Sequence, residues 1–191
     1  MDKQTEIAVD VGGGKGEYFL RRALAEPQKV FVVLDPQIEQ IPDKPDNLFL
    51  VKWKSDKDVD LPIKPNSVDE VNISMLMGEL ITRDVSDANN VPEHLRKEFT
   101  QFRRILRDTK NMLKSDCIVT IVEPRGNMNY VLRLLTDEGY KVIKPASKVE
   151  DKNRSAFVGM FFDFYQHNPR IKKNEETSII IPLEVKAQVI K

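Results

Sequence analysis

The sequence predicts an α/β domain with a doubly wound, mainly parallel sheet, and three observations carry that reading. Apolar, β-rich runs alternate with helical patterns along the chain. "VFVVLD" (30–35) is apolar almost without alternation, as a strand covered on both faces must be. Four of the eight glycines (Gly12, Gly13, Gly14 and Gly16) crowd together directly after the first apolar run.

"EIAVDV" (6–11) reads as the first strand. "GEYFLRRALAE" (16–26) follows as a helix, with Phe19, Ala23 and Leu24 at helical spacing. After the strand 30–35 come "LFLVKW" (48–53), "SVDEVNIS" (67–74) and "SDCIVTIVE" (115–123) as further strands. The longest helix, 92–114, places Leu95, Phe99, Phe102, Leu106 and Leu113 on one face, beside a basic stripe of Arg96, Arg103, Arg107, Lys110 and Lys114. "GNMNYVLRLLTDEG" (126–139) is a helix ending in a C-cap glycine. "YKVIKPA" (140–146) and "SAFVGMFFDFY" (155–165) read as a strand pair, the second apolar enough for a central strand. "SIIIPLEVKAQVI" (178–190) alternates, and Pro182 argues for a sheet edge. The expected architecture is a seven-stranded sheet with antiparallel terminal strands and an extra C-terminal strand, in a single domain over 1–191. That last strand is the expected route to a homodimer.

Thirty basic residues balance thirty acidic ones, so no global positive field draws in nucleic acid or anionic membrane. One cysteine, Cys117, makes no internal disulfide, and its flanks read as a buried strand. No apolar run approaches the ~18 residues that span a bilayer, and the start lacks a signal-peptide pattern. A cytoplasmic protein with no membrane partner is expected.

The glycine run discriminates among ligands by spacing. A P-loop needs a hydroxyl after its lysine, but Lys15 precedes Gly16. The dinucleotide pattern GxGxxG, started at Gly12, reaches Gly14 and then Glu17. What fits is acidic-x-Gly-x-Gly-x-Gly: Asp10, Gly12, Gly14, Gly16. A carboxylate at a strand end suits a cationic group, and bare backbone lets a ligand lie close. Asp35, ending the second strand, is placed to accept hydrogen bonds from both hydroxyls of a ribose. Together they call for a nucleoside with a positive, amino-bearing end.

In these segments the chain resembles the class I S-adenosylmethionine-dependent methyltransferases, with their Rossmann-like fold. "VDVGGGKGEYFL" is similar to their first motif and "VVLDP" to their second. "DLPIKPNSVDEVNISML" is similar to the approach to their fourth strand. "FRRILRDTKNMLKSDCIVTIVEP" and "NYVLRLLTDEGYKVI" resemble the elements completing the fold, so the likeness covers about residues 6 to 146. It implies a methyltransferase with S-adenosyl-L-methionine as cofactor and no metal. Asp10, Gly12, Gly13, Gly14 and Gly16 would hold the methionine portion; Asp35, with Pro36 beside it, would hold the ribose. Ser55 or Asp56 would lie near the adenine, and Ser74 and Met75 would line the methyl-transfer face.

The acceptor is less legible, because a methyl transfer from an activated sulfonium relies mainly on positioning. Weak candidates for a base are Glu123, Glu79 and His94. "NISML" stands where amino-methylating enzymes of nucleic acid carry a Pro-Pro-aromatic motif, and Cys117 opens the fifth strand, away from a cytosine-C5 nucleophile's place. A small molecule or a protein is therefore the expected acceptor. Ribosomal or transfer RNA is the alternative, resting on the basic stripe and on a likeness of "VDEVNISMLMGELI" to ribosomal-RNA methyltransferases that confer aminoglycoside resistance. A non-catalytic partner subunit is the third reading, since the first strand begins too early for the preceding helix many relatives carry.

Overall fold

The computed structural model describes residues 5–54, 61–74, 96–149 and 182–190. Seven strands form one sheet: β1 (Ile7–Val11), β2 (Val30–Asp35), β3 (Leu48–Lys52), β4 (Val68–Ser74), β5 (Leu113–Pro124), β6 (Tyr140–Lys148) and β7 (Pro182–Val189). Their order is β3-β2-β1-β4-β5-β7-β6. β1 to β5 run parallel, and β7 is antiparallel to both β5 and β6. Helix α1 (Glu17–Ala25) follows β1, α2 (Arg96–Met112) precedes β5, and α3 (Arg125–Asp137) follows it. The strand order reverses at β1, so the crevice beyond the carboxyl ends of β1 and β4 is the site that such sheets offer a ligand.

Each face of the sheet has its own core. On one, Phe19 and Ala23 of α1 pack with Ala8, Phe31, Val33 and Leu48, the Phe19 and Phe31 rings meeting edge to face at 5.1 Å. On the other, Phe102, Ile105 and Leu106 of α2 and Met128, Val131 and Leu135 of α3 cover Val9, Val71, Val119, Ile121 and Val185. Leu24 is 66 % exposed and takes no part in the core, contrary to its helical spacing. Cys117 is only half-buried, and its neighbour Ile118 is exposed: both lie beside Asp116, where the backbone turns to φ 62 and the β4–β5 register shifts. Cys117 still packs against the core's edge, while Ile118 turns outward beside the irregularity.

The C-terminal strand corrects two expectations. β7 is neither an extra strand nor an edge; it lies between β5 and β6, bonded to both. Its alternation reports one buried face, with Val185, Ala187 and Val189 inward, and says nothing about whether its backbone edges are paired. Pro182 is tolerated because it is the strand's first residue. With both edges used, β7 gives no route to a dimer. The 155–165 run expected to pair with 140–146 lies outside the described residues; β6 pairs with β7 instead. Among the described residues the edge strands are β3 and β6, and both carry the usual protections: Lys44 Nζ bonds Leu48 O at 2.7 Å and sits over the Phe49 ring of β3, and β6 carries Pro145 among lysines.

Helix ends are closed by neighbouring backbone. The last carbonyls of α2, Asn111 O and Met112 O, accept the N–H groups of Asn66 and Ser67 just ahead of β4. α3 is followed, after its cap Glu138, by Gly139 (φ 74), whose N–H donates to Thr136 O. Among the described residues no helix is long and apolar enough to cross a membrane.

One charged cluster ties α1 to β4. The Arg22 guanidinium donates to both carboxylate oxygens of Glu70 (2.6 and 2.9 Å) and to Glu26 (3.0 Å), and lies over the Phe31 ring at 5.1 Å. Burial pushes the Glu70 carboxyl up, but the Arg22 hydrogen bonds and charge outweigh it and hold the group below its ordinary value of 4.5. Such a carboxylate stabilises the fold above the unfolded value and loses that contribution as pH falls through the folded one. Arg22→Ala should therefore cost about 2–3 kcal/mol in urea unfolding at neutral pH, between an exposed and a fully buried pair. The same variant should lose less stability than the parent between pH 5 and pH 3, roughly the window of an ordinary carboxylate.

Candidate functional site

The structure brings Asp10, Gly12, Gly13, Gly14, Gly16 and Asp35 together at the carboxyl rim of β1 and β2. The chain leaves β1 after Val11 and reverses through Gly12 (φ 77) and Gly14 (φ 59) to the cap of α1 at Gly16 (φ 80). Those backbone angles are the left-handed region, and they explain the glycine spacing directly. Gly13 is required for a different reason. A Cβ there would lie 2.6 Å from Asp10 Oδ2 and 2.9 Å from Val33 Cγ1. Asp10 is 1 % exposed, its carboxylate closed over by the turn. A Cβ on Gly14, by contrast, would meet no atom within 4 Å.

Asp35 organises the rim. Its Oδ2 accepts the Gly14 N–H at 2.9 Å and its Oδ1 the Gln37 N–H at 2.7 Å. Its own carbonyl accepts the Trp53 N–H at 3.2 Å, and the preceding carbonyl, Leu34 O, accepts the Gly12 N–H at 2.9 Å. A carboxylate offers about four acceptor sites, so two backbone bonds leave capacity for hydroxyl donors. Pro36, next along, is exposed on the same rim.

Ser74 closes β4 and is buried, adjacent in register to Val122 of β5. Glu123 is 0 % exposed and accepts from Asn127 Nδ2 at 3.3 Å, across the first turn of α3. A carboxylate at that position also meets the positive end of the helix dipole. Ser55, Asp56, Met75, Glu79 and His94 lie outside the described residues. Among the described residues no group of His, Cys, Asp and Glu could hold a metal ion.

The basic stripe of α2 is engaged within the chain. Arg103 Nη2 pairs with Asp137 at 2.8 Å and its Nε with Glu138 at 2.9 Å; Arg107 pairs with Glu138 at 2.8 Å. Lys110 Nζ donates to Glu138 O and Lys114 to Asp69. These partners stand at the C-terminal end of α3 and the start of β4, the opposite rim from Asp10 and Asp35. The side chain of Arg96 is outside this description. The helix expected over 92–114 ends at Met112, so Leu113 and Lys114 belong to β5 and the stripe on α2 itself includes Arg103, Arg107 and Lys110; their acidic partners were signalled by "TDEG" at the end of the next helix.

Sheet order and rim together define the class: the fold is that of the class I methyltransferases. Among solved structures, the chain is similar to the 16S rRNA methyltransferase KamB (13% identity, TM-score 0.60, covering 98% of this chain and 90% of that one). It is similar to the 16S rRNA (adenine(1408)-N(1))-methyltransferase from Catenulisporales acidiphilia (16% identity, TM-score 0.59, 98% and 90%), a variant of which was solved with cosubstrate SAM. The cyclase SpnF is a further neighbour (14% identity, TM-score 0.61, 98% and 76%). No protein-family model matches the chain, and no curated protein matches its sequence.

The two glycines make opposite demands, which urea unfolding can separate. Gly13→Ala overpacks a buried contact and should cost about 1–3 kcal/mol. Gly14→Ala meets open space and should cost only the backbone penalty, about 1 kcal/mol.

Proposed function

We propose that the chain is an S-adenosylmethionine-dependent methyltransferase whose single domain spans residues 1–191. The observation that carries this reading is the Asp35 clamp on a left-handed glycine turn beside a buried Asp10, at the reversal point of the sheet. The residues fit the cofactor: the turn leaves room above Gly14, and Asp35 keeps acceptor capacity after its two backbone bonds. When bound, S-adenosylmethionine supplies a methyl group already activated by sulfonium charge. Asp10 would attract the amino group, Asp35 would hold the ribose hydroxyls, and the bare backbone of 12–14 would allow close approach. Ser74 would face the transfer site from β4. Positioning by these groups can supply most of the acceleration, and Glu123, occupied by Asn127, serves the start of α3 better than it serves proton transfer.

The acceptor in this reading is a small molecule or a protein, at a cytoplasmic address that suits a chain with one cysteine. A second reading, with RNA as acceptor, is supported by the 16S rRNA methyltransferases among the neighbours. The basic stripe does not support it, because its charges are paired on the rim away from Asp35. A cyclase with the same fold is a reminder that fold does not decide reaction, and a non-catalytic subunit is the remaining alternative.

Calorimetry of the full chain with S-adenosylmethionine and S-adenosylhomocysteine should show saturable binding; its absence would reject the cofactor site. Asp35→Ala should weaken that binding by about 1–3 kcal/mol, the cost of charge-assisted hydrogen bonds left unmade. For the acceptor, labelled cofactor offered with fractionated lysate should mark a protein or small-molecule fraction. Should 16S rRNA be labelled instead, Arg103→Ala with Arg107→Ala should leave that labelling and its salt dependence unchanged, because those side chains serve α3.

A further inference from the structure

We draw no further inference here: the strongest candidate, the cavity of about 250 Å³ between the segment ahead of β4 (Leu61, Ile63 and Pro65) and the last turns of α2 (Asp108, Asn111 and Met112), lies at the rim opposite Asp10 and Asp35, and nothing in the structure shows what occupies it.

Discussion

The rim depends on one buried carboxylate. Asp35 accepts backbone N–H groups from the glycine turn and from its own following turn, while its carbonyl accepts the first peptide beyond β3. Three segments distant in sequence are fixed by a single residue. The turn itself has little else to order it: glycine loses more backbone freedom on folding than any other residue, so a run of glycines needs strong local restraint. Charge-assisted bonds to amides are a suitable restraint, shorter and stronger than neutral ones. The same carboxylate that shapes the turn keeps spare acceptor capacity after its two backbone bonds. In the proposed cofactor reading, shape and recognition are therefore not separable at this position.

Much of this was legible because it is written in strand termini. Val30–Asp35 is read with its observed bounds, and the spacing of Gly12, Gly14 and Gly16 matches the left-handed positions residue by residue. Gly13 was legible as glycine but not as a steric necessity, since nothing in the sequence says that Asp10 and Val33 converge beneath it. β7 was legible as half-buried but not as central, because side-chain alternation carries information about faces and none about partners. Leu24 was misjudged because it sits at the margin of the α1 stripe, and Cys117, in β5 as expected, is half-buried against the core beside a kink at Asp116. Trp53 closes a strand in the sequence like any aromatic, and its enclosed donor is a tertiary fact.

Charge is distributed by function across the two rims. At the amino end of the parallel strands, acidic and basic groups are matched closely: Arg22 with Glu70, Lys114 with Asp69, Arg103 and Arg107 with Glu138. They join α1 to β4, β5 to β4, and α2 to the end of α3. At the carboxyl rim Asp10 and Asp35 stand on adjacent strands, both buried. In the proposed cofactor reading, these two carboxylates meet the amino group and the ribose hydroxyls.

The central position of β7 has a consequence for how the polypeptide assembles during synthesis. β5 and β6 are joined through α3 alone, yet in space they are held apart by a strand that comes later in the chain. While a ribosome is still extending the chain toward residue 182, each presents an open backbone ladder to its surroundings. Nascent intermediates of that kind invite edge-to-edge association, which is slowest to resolve when the missing partner is distant in sequence. Lysines and a proline along β6 discourage such encounters until the last strand slots in and locks the sheet.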